Sequence, residues 1–483
     1  MRNFGVLIPV ASLPSKYGIG SFGCESFDFI KFLHKNHLNV WQILPLNNTN
    51  ETNCPYSSIS SFTFDEMYVD IEALLKNRLI SKKDLSILKS LRPSKKINYK
   101  KVKKEKLRLF EKAYSNLSLK RKTFIENLKT SRKDLFLYAY FRAILKHFKT
   151  DDWRKITSEY RDPLSSFGKE FAIKYADEIN KHIFYQYTLE SQWKKVLAFA
   201  ERKNVQIWGD LPIYTPATSF EVFCAPQYFK LDKSYNPLVY GGVPGDEFCK
   251  KGQNWGTCIY NWNLLEKEKF SYLINRIEKA LSFYHTLRLD HFIGLVEHYE
   301  IDAKDEKKNK WVKAGGEKLF NTLQKKISSS KLIVEDLGPV SKECIGVKRR
   351  FNLKGMAILQ FAFDGNQKNI YLPANVEENT VYYLGNHDNN TFIGFLSSKN
   401  HKLAVAKAFG LLDDLPGEQL LSYCVKRMLE SKSNTIILQM QDFLMQDASQ
   451  RTNIPGVARG CWEYRCPENY KKDFQKNLKD FLR

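Results

Sequence analysis

Eight short apolar runs, rich in β-branched and aromatic residues, recur along the chain. They are FGVLIPV from Phe4, NVWQILPL from Asn39, VQIWGDLPI from Val205, HTLRLD from His285, KLIVED from Lys331, GMAILQFAF from Gly355, TVYYLGNHD from Thr380 and NTIILQMQD from Asn434. Each has the length and residue preference of a strand buried on both faces. Segments with helical spacing lie between most of them: SFDFIKFLHKN, the stretch from Phe167 to Lys203, NLLEKEKFSYLINRIEKALSFY, GEKLFNTLQKKI, SKECIGVKRRF and HKLAVAKAFGLL. Alternating strand and helix predicts a parallel sheet, and eight such units predict an α/β fold of the (β/α)8 TIM-barrel type. A doubly wound open sheet is the alternative, but no GxGxxG follows the first run.

Two connections are too long to be barrel loops. Residues 66–200, between strands two and three, are expected to form a mostly helical, basic insertion. Residues 212–265, between strands three and four, are rich in Gly, Pro and aromatics and are expected to form an irregular, loop-rich insertion over the barrel mouth. Residues 1–483 then make a single barrel carrying two insertions.

Composition adds limits rather than an identity. Hydrophobic residues at 43% and charged residues at 27% are ordinary for a globular chain. No apolar run approaches the ~20 residues that span a bilayer. The opening MRNFGVLIPVASLPS has a short apolar run broken by Pro9, which reads as a first strand rather than a leader. Nine cysteines (24, 54, 224, 249, 258, 344, 424, 461 and 466) show no CxxC spacing, so free thiols and a cytoplasmic setting are expected. The net charge of +23 invites a nucleic-acid reading. Its distribution weakens that reading: between Lys76 and Asp134 there are 21 Lys/Arg against 5 Asp/Glu, in a helical stretch with few aromatics. A solvated helical face accounts for it, and no RNA- or DNA-binding motif accompanies it.

The chemistry gathers at strand ends, where barrel enzymes carry their catalytic groups. Strand three ends at Asp210, strand four at Asp290-His291, strand five at Glu335-Asp336, strand seven at His387-Asp388-Asn389-Asn390 and strand eight at Asp442. A lone acid there can simply be a helix cap; five ends carrying acids suggest a pocket. In LRLDHF, alternation puts Arg288 and Asp290 on one face. An Arg beside an acid favours its ionised form, which suits a nucleophile and equally a structural ion pair. LIVED gives Glu335 apolar neighbours, as a general acid requires. Alternation lets only one of Glu335 and Asp336 face the axis. A nucleophile paired with a proton donor is the equipment of glycosyl transfer.

Ordered motifs carry a resemblance over most of the chain: SLPSKYGIG, WQILPL, PYSS, GDLPIY, GGVPGDEF, GQNWG, LRLDHF, WVKAGG, VEDLG, GMAILQFAFD, GNHDNNT, NIPG and CWEYR. In these the chain resembles the amylomaltases, the 4-α-glucanotransferases or disproportionating enzymes of glycoside hydrolase family 77 in the α-amylase clan. Only about Lys76 to Ser165 lacks such motifs. The resemblance implies that Asp290 is the nucleophile of a retaining double displacement, Glu335 the general acid/base and Asp388 the acid that grips sugar hydroxyls in the transition state. It implies Arg288 and His387 as partners of the reacting sugar, and Tyr56, Asp246, Gln253, Asn254, Trp255, Asp364 and Asn453 as substrate-binding residues. His291 is either a supporting residue or an ordinary histidine. The implied partners are malto-oligosaccharides and other α-1,4-glucans, with no metal, no cofactor, no nucleic acid and no membrane, and with the chain a monomer or weak oligomer.

The chain departs from the family pattern at Asn53, Thr218, Phe223, Ile293 and Asn390, none of them one of the three acids. These departures bear on the preferred chain length of donor and acceptor. Two rival functions are an α-1,4-glucan hydrolase using the same residues and, more remotely, a basic nucleic-acid binder.

Overall fold

The computed structural model describes residues 2–91, 94–245, 252–338, 340–412, 415–457 and 459–482. All eight predicted strands form: β1 (Asn3–Leu7), β2 (Val40–Gln42), β3 (Gln206–Leu211), β4 (Thr286–Leu289), β5 (Leu332–Val334), β6 (Gly355–Ile358), β7 (Thr380–Tyr383) and β8 (Thr435–Gln439). They pair in parallel in the order β5-β4-β3-β2-β1-β8-β7-β6. Among the described residues one parallel bridge, Ile333 to Lys354, joins β5 to the approach of β6 and closes the ring, with Val334 N–H donating to Lys354 O at 2.8 Å.

The barrel interior changes character along its axis. Val40, Trp208, Ile333, Met356, Val381 and Ile437 pack together inside it. Toward the C-terminal ends the buried positions turn polar: Gln42, Asp210, Arg288 and Gln439, with the Tyr383 hydroxyl donating to Gln42 Oε1 at 2.8 Å. On the other side of β3, Gly209 is fixed by close packing, because a Cβ there would lie 2.2 Å from the Tyr284 ring. Helices Cys24–Lys35, Ala176–Arg202, Ser271–Leu281, Gly316–Leu323, Lys342–Arg350, Gly417–Glu430 and Tyr470–Leu482 lie between or after the strands. Among the described residues β6 is followed only by the 3-10 turn Leu359–Phe361 before β7.

The stretch between β2 and β3 is helical, with Tyr99–Ser115, Leu119–Ser131 and Lys133–His147 preceding Ala176–Arg202. Asn98 caps the first of these by accepting Lys101 N–H at 3.1 Å, and Val102, Leu109, Phe110 and Ala113 form its buried stripe. The solvated face expected here is only partly present. Lys95, Lys96, Lys100, Lys101 and Lys104 are exposed, but Lys103 is half-buried and Lys106 fully buried. Lys106 Nζ donates to Met67 O at 2.8 Å, and burial pushes its pKa down to about 8. A lysine every third or fourth residue necessarily places some on the apolar stripe.

The stretch between β3 and β4 is more regular than its composition suggested. It supplies Thr215–Pro216, Val239–Val243 and Gln253–Cys258 to a five-stranded antiparallel sheet completed after β4 by Glu297–Asp302 and Lys310–Lys313. The glycines that masked Val239–Val243 as a strand sit at a bulge between Gly241 and Gly242, where the chain meets Gln253 closely.

Lys106 yields a test. Its folded-state pKa of about 8 lies below the unfolded value of 10.5, so the unfolded chain holds the proton more tightly. Stability contributed at this site therefore rises with pH across that window. In urea unfolding, wild type should gain roughly 3 kcal/mol on Lys106→Met between those two pH values. A gap that stays constant or moves the other way would show that Lys106 is not buried as a cation.

Candidate active site

At the C-terminal end of the barrel one guanidinium organises three carboxyls. Arg288 is 1% exposed. Its Nη1 donates to Asp210 Oδ2 at 2.6 Å and to Asp290 Oδ1 at 3.0 Å, and its Nη2 lies 2.9 Å from Glu335 Oε2. The register places Asp210 directly opposite Arg288 on the neighbouring strand. Arg288 and Asp290 share a face, as strand alternation requires. At His291 the backbone turns left-handed, with φ 48°, and its N–H donates to Glu335 Oε2 at 2.7 Å. Asp336 points elsewhere: it accepts Met356 N–H at 2.7 Å and pairs with Lys348 at 2.6 Å.

A second cluster adjoins the first. The Tyr56 hydroxyl donates to Asp210 Oδ2 at 2.7 Å and lies 2.8 Å from His387 Nε2. His387 Nε2 is 3.3 Å from Asp388 Oδ2, and Asn453 Nδ2 donates to Asp388 Oδ1 at 2.6 Å. Trp462 packs on both the Tyr56 and His387 rings, at centroid distances of 5.9 and 6.0 Å. The loop carrying Tyr56 is tied to the helical insertion by Lys103, which donates to Thr49 Oγ1 at 2.8 Å and pairs with Asp65 at 3.0 Å.

Burial and pairing divide the acids. Burial pushes Asp290 well above the usual carboxylate range; Arg288 opposes the rise and Glu335 adds to it. Burial acts on Glu335 in the same sense, but Arg288 and the His291 N–H outweigh it and hold Glu335 low. Asp290 and Glu335, each beside the other and beside Arg288, thus share one proton rather than titrating independently. Nη1 is shared between Asp210 and Asp290, while Glu335 is paired with the charge at Nη2 and accepts the His291 N–H. Asp388, half-buried, is held far below the usual range by His387 and Asn453. Burial pushes His291 down to about 4, so its ring is neutral.

Three close-set carboxyls thus surround one buried Arg at the mouth of a parallel barrel. The profile of glycoside hydrolase family 77, 4-alpha-glucanotransferase, aligns with residues 8–471. The chain belongs to that family. It is 35% identical over 467 residues to the 4-alpha-glucanotransferase of Clostridium butyricum, covering 95% of each chain. It is 35% identical over 485 residues to that of Aquifex aeolicus, covering 99% of this chain and 98% of the relative. The amylomaltase from Streptococcus agalactiae, solved in complex with acarbose, superposes with a TM-score of 0.92 at 30% identity over 100% of both chains. Members of the family in bacteria and plants are 4-alpha-glucanotransferases, and this chain is accordingly a glycosyltransferase of carbohydrate metabolism acting on glucans. Among its described residues no helix is long and apolar enough to cross a membrane.

The structure brings together Tyr56, Arg288, Asp290, Glu335, His387, Asp388 and Asn453. Trp255 joins from the antiparallel sheet, its ring 4.6 Å from that of His291, and donates through Nε1 to Gln253 Oε1 at 3.2 Å. Asn254 is exposed and accepts Gly256 N–H at 2.9 Å. Asp364 is not brought in: it is exposed, and its carboxylate serves Asn366 and Asn369 of its own turn. Asp246 lies outside the described residues. Asp442, also at a strand end, caps Phe392 N–H at 2.7 Å.

The family departures have local reasons in part. Asn53 sits at φ 58°, a conformation Asn tolerates. Phe223 fills a space between Phe141 and Trp153, and Ile293 is buried. Asn390 O accepts Gln360 Nε2 at 2.7 Å. Nothing in the structure explains Thr218.

Sequence reasoning placed Asp210 at a strand end but did not select it, and overlooked Trp462. The signal for Asp210 was its setting in GDLPIY; it becomes decisive only when β3 and β4 are aligned.

Asp210 raises the proton affinity of Asp290 through its charge. Asp210→Asn should therefore let the pair lose its proton at lower pH. The alkaline limb of transfer from maltotriose should move down by about one pH unit, with reduced turnover at neutrality. An unmoved limb would mean that Asp210 is electrostatically remote from the reacting acids.

Proposed function

We propose that this 4-α-glucanotransferase works by double displacement at Asp290 and Glu335. An Asp290 oxygen attacks C1 of the reacting glucose, the C1–O4 bond breaks, and Glu335 delivers its proton to the departing O4. The 4-hydroxyl of a second glucan or of glucose then attacks C1, gives its proton to Glu335 and releases Asp290. Asp388, braced by Asn453 and His387, holds hydroxyls of the flattening ring. The observation that carries this reading is the shared guanidinium: Asp290 and Glu335 each lie about one hydrogen bond from Arg288, at 3.0 and 2.9 Å. That crowding favours the ~5–5.5 Å separation of retaining enzymes over the ~6.5–9.5 Å of inverting ones.

Before cleavage the shared proton has to sit on Glu335, leaving Asp290 ionised. A glycosidic oxygen arriving beside Glu335 favours that placement, which readies both. Hydrolysis by the same residues differs only in whether water reaches the intermediate. Trp255 and Tyr214 packed about His291 from the antiparallel sheet support a sheltered site and transfer to sugar. The exposed lysines take no part, and the chain acts in the cytoplasm as a monomer or weak oligomer.

Incubation with maltotriose should give glucose together with a ladder of longer maltodextrins; shorter products alone would mean hydrolysis. The two acids of the β5 end separate by leaving group. A general acid matters by ~10²–10⁴-fold for a sugar alkoxide and far less for fluoride. Glu335→Gln should nearly abolish transfer from maltotriose yet keep appreciable fluoride release from α-glucosyl fluoride. Asp336→Asn should slow both alike by loosening Lys348 and Met356. The opposite pattern would exchange their roles.

A further inference from the structure

Trp462 is held in a backbone conformation that a bulky side chain rarely adopts. Its φ is 68°, in the left-handed region, where the backbone crowds a Cβ. Such a residue persists only where its surroundings hold it, and such residues gather at working sites. Two anchors hold this one. Its N–H donates to Thr452 O at 2.6 Å, and its carbonyl accepts the Tyr99 hydroxyl at 2.8 Å. Trp462 and Tyr99 are both buried.

The two anchors belong to different parts of the molecule. Thr452 precedes Asn453, which holds Asp388 through Nδ2 at 2.6 Å and the His387 carbonyl through its N–H at 3.1 Å. Tyr99 opens the insertion's helix Tyr99–Ser115. The chain just before it runs beside the Trp462 segment: Ile97 N–H donates to Glu463 O at 2.9 Å, and Lys96 bridges antiparallel to Tyr464. One turn further along the same helix face, Lys103 holds the loop of Tyr56 through Thr49 and Asp65. Three rings lie between these holds. Tyr56 stacks on His387 at 5.3 Å and 12°, and the Trp462 indole packs on both. The insertion thus grips the stack from two sides, and the Tyr56 hydroxyl in it reaches Asp210 and His387.

We propose that Tyr99 is a positioning residue for glucan transfer: through Trp462 it fixes the Tyr56 and His387 rings beside the reacting sugar. The helical insertion is then a brace of the active site. Without the hydroxyl, the buried Trp462 carbonyl loses a partner, and the left-handed turn keeps one anchor of two. The indole relaxes, and the rings it packs on shift with it. A shift of His387 loosens the hold on Asp388. Misplacement of this kind slows the chemical step more than it weakens ground-state binding. This inference rests on the double displacement proposed above, in which Asp388 and His387 serve the flattening ring.

The test sets Tyr99→Phe against Tyr114→Phe in the same helix. Tyr114 is also buried, and its hydroxyl donates to Asp177 Oδ1 at 2.8 Å near the helix's other end. Each variant removes one hydroxyl from a buried ring, and urea unfolding checks that both remain folded. With maltotriose, Tyr99→Phe should lower kcat about tenfold with KM within about twofold, while Tyr114→Phe leaves both within about twofold. In a Trp462→Ala background the ring through which Tyr99 acts is gone, so adding Tyr99→Phe should cost under about twofold in kcat. Equal kcat losses in the two hydroxyl variants, or no loss in Tyr99→Phe, would overturn the positioning role and leave a bond that serves the fold alone. Retention of the whole kcat loss in the Trp462→Ala background would overturn it too. Should Trp462→Ala not fold, the two hydroxyl variants decide by themselves. A wild type without transfer activity would instead overturn the reading on which the inference rests.

Discussion

The buried guanidinium of Arg288 is the constraint around which the site is arranged. A cation taken out of water at the barrel mouth must be matched by charge, and removing one partner of such a set costs about 3–5 kcal/mol. Asp210 supplies the structural half of the match from the adjacent strand at 2.6 Å. Asp290 and Glu335 occupy what remains and share one proton. Tyr56 and His387 then couple this group to Asp388, so a loop, four strand ends and the C-terminal segment meet in one hydrogen-bonded network. The barrel brings these together because inward positions change from Val40, Trp208 and Val381 below to Gln42, Asp210 and Arg288 above.

Much of this was legible in the chain. Strands buried on both faces leave continuous apolar runs, and all eight were visible for that reason. The antiparallel sheet was not, because Val239–Val243 and Gln253–Cys258 contain the glycines that its bulge and close approach demand. Composition there signals a loop, while long-range pairing makes a strand. The basic insertion misled in the opposite sense. Its lysines look uniformly solvated, yet helical geometry turns Lys106 into the core and Lys103 onto Thr49 and Asp65.

At the site, alternation correctly put Arg288 and Asp290 together. It could not choose between Glu335 and Asp336; the contacts of Asp336 with Lys348 and Met356 decide that geometry. Asp210 escaped selection because its importance is a cross-strand register, which one strand cannot reveal. The extra donor to Glu335 was also out of reach. It depends on the left-handed turn at His291, which adds an N–H to Glu335 and none to Asp290.

In the proposed double displacement Asp290 becomes covalently bonded to glucose. A slowly turned-over fluorosugar, such as a ring-fluorinated α-glucosyl fluoride, should leave one hexosyl adduct that peptide mass spectrometry can locate. The adduct is expected on the peptide containing Leu287 to Phe292, at Asp290, and should be lost on addition of maltose as acceptor. An adduct on the peptide carrying Glu335, or steady fluoride release with no adduct on either, would contradict it.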